Sequence, residues 1–87
     1  MLLNHETSIG EIEIRMMAIA IEERLMMVSG LGEWFIQNIV EKFKDVALEA
    51  LDYHPEELEN IIGDYEEKVL DLENKRVSEL QVHRHAH

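Results

Sequence analysis

No cysteine occurs in the chain of 87 residues, so neither a disulfide nor a thiolate zinc site holds it together. A core of this size leaves stability marginal. Without such a staple, oligomerisation is one of the few other sources of buried surface. Proline occurs once, at Pro55, and glycine four times, so strong helix-stopping signals are confined to a few places. Basic residues are scarce: 8 Lys and Arg stand against 19 Asp and Glu, for a formal charge of −11. A chain this acidic repels phosphate backbones and anionic membrane surfaces, which excludes ordinary nucleic-acid binding. Every hydrophobic run falls far short of the roughly 20 residues that span a bilayer. Met1–Glu6 lacks a basic segment and does not read as a signal peptide. These absences lead to the expectation of one cytoplasmic domain over residues 1–87, with no cofactor and no membrane contact.

Hydrophobic residues make up 46% of the chain, enough to argue for a folded domain. Their spacing is helical. Ser8-Ile9-Gly10-Glu11 fits a capping box, with Ser8 as cap and Glu11 reaching back. A first helix is predicted over about 9–28. Placed at about 100° per residue, it carries two apolar faces. One holds Ile9, Ile12, Met16, Ile19, Met26 and Met27, interrupted by Glu23; the other holds Ile14, Met17, Ile21, Leu25 and Val28. Two thin polar stripes part them, Glu11, Arg15 and Glu22 on one side and Glu13 and Arg24 on the other. Glu11 and Arg15 form a favourable i,i+4 pair.

Ser29-Gly30-Leu31-Gly32 ends this helix, with Gly30 suited to a left-handed cap and Leu31 folding back. A second, antiparallel helix is predicted over about 33–52, apolar along Phe35, Ile36, Ile39, Val40, Phe43, Val46, Ala47, Ala50 and Leu51. Trp34 and Leu48 depart from that face toward its polar side. Pro55, followed by Glu56 and Glu57, starts a third helix predicted over about 55–81, with its stripe at Leu58, Ile61, Ile62, Tyr65, Val69 and Leu72. Gly63 either breaks this helix into two or sits on its solvent side; continuity is the favoured reading. Residues 82–87 read as a flexible tail. The expected architecture is all-α, a small three-helix up-down-up bundle, or four helices if Gly63 is a break, that dimerises through a helix.

Nothing in the chain assembles a catalytic site. Ser8 and Ser29 sit at helix-end signals, Gly30-Leu31-Gly32 lacks the lysine of a phosphate loop, and the acids suggest no paired pocket. A non-enzymatic protein is expected. His83, His85 and His87 alternate, and Glu79, His83 and His87 share one helical face; either set offers imidazoles to zinc or nickel, but a bare terminal tail is the favoured reading. Glu56–Glu73 holds eight acids and one lysine. It reads as a solvated face supported by Asp64–Lys68 and Asp71–Lys75 pairs, or alternatively as a mimic of a phosphate array.

Four of the five methionines, Met16, Met17, Met26 and Met27, fall in the first helix. A helix in a small bundle buries one sector, and this one has two apolar faces, so the surplus face needs cover from another chain. The expected function is a small acidic protein–protein interaction module, a regulator or inhibitor, that meets a partner protein or a second copy of itself. The residues assigned to that contact are Ile14, Met17, Ile21, Leu25, Val28, Trp34 and Leu48. No metal is assigned.

Overall fold

The structure, a computed structural model, describes residues 9–85, with side-chain surroundings for residues 9–75. Three α-helices make up the described chain: α1 (Glu11–Met26), α2 (Glu33–Tyr53) and α3 (Leu58–His85), with a single 3₁₀ turn over Pro55–Glu57 before α3. No strand occurs among the described residues. The all-α class expected from the spacing is what the chain adopts.

α1 is shorter than predicted at both ends. Its N-cap is Gly10, and the Gly10 backbone N–H donates to Glu13 Oε1 at 2.9 Å. That is the reciprocal half of a capping box, set two residues later than the one built on Ser8 and Glu11; Ser8 itself lies outside the described residues. Glu11 instead accepts from Arg15 at 2.9 Å, the predicted i,i+4 pair. The helix closes with tightened bonds from Met27 N–H to Arg24 O and from Val28 N–H to Leu25 O, at 3.2 and 3.0 Å. Gly30 does take a positive φ of 89°, but in the turn beyond the cap. Leu31 packs against the core as expected.

α2 packs against both neighbours. It buries Ile36, Ile39, Val40, Phe43, Ala47 and Ala50, a one-sided pattern that needs little else to explain it. α3 begins three residues later than predicted because Pro55, Glu56 and Glu57 wind as the 3₁₀ turn, closed by Glu57 N–H to His54 O at 2.9 Å. α3 then runs unbroken through Gly63, and its backbone stays helical to His85, past the predicted end at residue 81. Nothing stands within 4 Å of where a Gly63 side chain would begin, so this glycine lies on the open side.

The core collects one strip from each helix: Ile14, Ala18, Ile21 and Leu25 from α1, the α2 face just named, and Leu58 and Val69 from α3. Phe43 and Tyr65 meet edge-to-face with ring centroids 5.3 Å apart, a geometry that satisfies the ring quadrupoles. Burial, and secondarily Asp64, raise the Tyr65 hydroxyl above its ordinary pKa, so it remains a protonated donor at neutral pH.

Candidate interaction surface

α1 shows its two faces to different surroundings. Ile14 and Leu25 are fully buried and Ile21 is 7% exposed. They belong to the core and are closed to a partner, which corrects their assignment as contact residues. The face opposite is open: Ile12, Met16, Ile19, Met26 and Met27 range from 55% to 85% exposed. At about 100° per residue this strip lies about 160° around the helix from the core strip. The surplus apolar face therefore exists, but it is the one carrying Ile12 and Ile19.

The polar stripes explain the choice. The Gln37 side-chain amide donates to Glu22 at 2.7 Å, joining α1 to α2. Arg24 reaches α3: Nε and Nη2 form a fork on Glu73 at 3.2 and 2.9 Å, and Nη1 meets Glu66 at 3.0 Å. Each stripe thus marks a flank where α1 meets a neighbour, and the apolar strip between those flanks is the buried one. The Arg24 hydrogen bonds hold Glu73 below the usual carboxylate range, and Glu73 with Glu66 raises Arg24, burial opposing both shifts.

The remaining predicted contact residues divide. Met17 is half-buried against the core, and Val28 is half-buried at the turn. Leu48 also packs on the core rather than projecting outward. It shares a flank of α2 with Gln37, and that flank faces α1. Trp34 is 77% exposed and remains open at the start of α2.

A second feature escaped the sequence reading. An open groove of about 770 Å³ between α2 and α3 is lined by Phe35, Ile39, Tyr65 and Leu72, with Lys42, Lys68 and Lys75 around them. The predicted Asp64–Lys68 and Asp71–Lys75 pairs do not form within 4 Å; among the described residues the lysine that is paired is Lys44, 3.1 Å from Glu41. Lys42 and Lys68 recur on neighbouring helices at positions that no single-helix pattern connects, so only helix packing brings them together.

The acidic segment from Glu56 to Glu73 is partly committed to the fold, because Glu66 and Glu73 hold Arg24. The side chains of Glu79, His83, His85 and His87 lie outside the described residues. Among those described, no three acids or histidines gather as metal ligands, and no helix is long and apolar enough to cross a membrane. No protein family, curated protein or solved structure matches this chain.

Proposed function

We propose that this chain is a non-enzymatic interaction module that self-associates through the outer face of α1. The observation that carries the reading is the open strip of Ile12, Met16, Ile19, Met26 and Met27, on the side of α1 away from the core. Two observations favour an up-down-up course of the three helices: the turn at Gly30, and the meeting of Arg24, near the end of α1, with Glu66 and Glu73 of α3. Among the described residues nothing covers the strip.

A second copy is the occupant the strip fits. Ile12, Met16, Ile19, Glu23 and Met26 recur at alternating steps of four and three, the spacing of a coiled-coil seam. Parallel pairing in register would set Glu23 against Glu23 of the second copy, which like-charge repulsion opposes. An antiparallel pair that sets Met16 against Ile19 of the second copy separates those carboxylates. It also brings Arg15 beside Glu22 of that copy, and the reverse by symmetry, as a closed two-fold contact requires. Regulation of another protein, by occupying its surface, is the wider role that such a dimer would serve.

Sedimentation equilibrium tests this. The expected result is a dimer for the native chain and a monomer for Ile19→Glu or Met16→Glu, each with unchanged helical circular dichroism and a cooperative melt that no longer shifts with protein concentration. A native chain that stays monomeric at about 100 μM, a weak affinity of roughly 5 kcal/mol, would overturn self-association. The competing phosphate-mimic reading rests on the exposed acids of the 3₁₀ turn and α3. Reversal of Glu57, Glu59 and Glu67 to lysine leaves Arg24 and its partners untouched and should leave the dimer intact.

A further inference from the structure

The groove between α2 and α3 lies on the flank of α2 away from the one that carries Gln37 and Leu48, and it includes none of the α1 strip. Its floor is apolar and aromatic: Phe35 is 40% exposed, and Tyr65 is held edge-on by Phe43. Its rim holds three of the four lysines of a chain whose formal charge is −11. Lys42 and Lys68 have no carboxylate within 4 Å among the described residues. Asn38 and Asn74 add amide donors, and Asp71 is the single acid on the lining. A solvated helix face in so acidic a chain has no reason to gather its cations around an apolar concavity. A volume of about 770 Å³ falls within the range of small-molecule sites, where an apolar body fills the floor and a few polar groups fix the head.

We propose that this groove binds a soluble amphipathic anion, an aliphatic or aromatic carboxylate of moderate size. The apolar body lies on Phe35, Tyr65 and Leu72, and the carboxylate accepts from Lys42, Lys68 and Lys75. The field of the whole molecule favours cations, so a preference for an anion is a stringent sign of local recognition. The site is independent of self-association and stands or falls separately from it.

Decanoate and decylammonium, with one alkyl chain and opposite head groups, are the probes, followed by nuclear magnetic resonance on the full chain. Decanoate is expected to shift the Phe35, Tyr65 and Leu72 signals saturably. Decylammonium should bind there at least about tenfold more weakly. Lys68→Gln with Lys75→Gln removes two charge-assisted hydrogen bonds to the carboxylate and should weaken decanoate by about tenfold or more. Both lysines are exposed, so the fold should survive. Ile19→Glu should leave decanoate binding unchanged. Equal binding of the two probes would overturn anion recognition. Decanoate binding that survives the lysine changes but is lost in Ile19→Glu would overturn the groove as the site.

Discussion

Arg24 ties α1 to α3 by charge, and its partner Glu73 reports on that tie. The pKa of Glu73 in the folded chain lies below its ordinary value, chiefly through the Arg24 hydrogen bonds. The pair therefore contributes fully above the unfolded carboxylate pKa, and its contribution is lost as pH falls through the lowered folded value. Both side chains are about one-third exposed, so solvent screening keeps the effect modest. The stability difference between the native chain and Glu73→Gln, from urea melts, should be constant from neutrality down to about pH 5 and shrink below about pH 4. A difference unchanged at the lowest pH would show that ionisation of Glu73 adds nothing. Gly63 offers the opposite kind of test. With open space beyond its α-carbon in mid-helix, Gly63→Ala should raise stability by about 0.5–1 kcal/mol, read as a higher urea midpoint. A lower midpoint would mean that the position is packed.

At the scale of the element, α1 sets buried and exposed apolar residues only two positions apart. Ile19 is exposed and Ile21 buried. Ile21→Glu places a carboxylate in the core and should abolish cooperative unfolding, whereas Ile19→Glu should lower the mass in solution and keep a cooperative fold. Leu25→Ala leaves a cavity in a fully buried position and should cost about 2–5 kcal/mol. The two faces were legible in the residue spacing, but the face expected to meet a partner is the one the core buries. Glu23 was the available signal: a carboxylate within an apolar strip marks the strip that stays in water, because burying an unpaired charge is costly. Ala18 was a second signal. A small residue amid the other strip lets a neighbouring helix approach, and Ala18 is buried. The third helix was legible through Gly63, because the apolar stripe keeps its phase across that glycine. The 3₁₀ turn at Pro55 was not, since proline suits both kinds of helix start.

For the whole molecule, charge sets two opposing salt dependences. Each copy carries −11, so joining two copies works against mutual repulsion and should strengthen with added salt. Decanoate in the lysine-rimmed groove should weaken with added salt, because the attraction there is local and exposed. Sedimentation and resonance titrations at about 0.05 and 0.5 M salt, either side of the physiological screening length, would show the two trends. A dimer that dissociates in salt would count against an apolar seam.

The residue order by itself determined the helical class, the junctions at Gly30 and Pro55, and the presence of more apolar surface on α1 than one core contact uses. These follow from spacing along a single chain, where helical periodicity is a local property. Only the tertiary structure decided which α1 face is buried, because that depends on where α2 and α3 offer Gln37, Glu66 and Glu73 to its polar flanks. Only packing, likewise, brings Lys42 of α2 to Lys68 and Lys75 of α3 around one apolar floor. Residues 26 or more apart become neighbours through helix association, and no periodicity within either helix encodes that meeting.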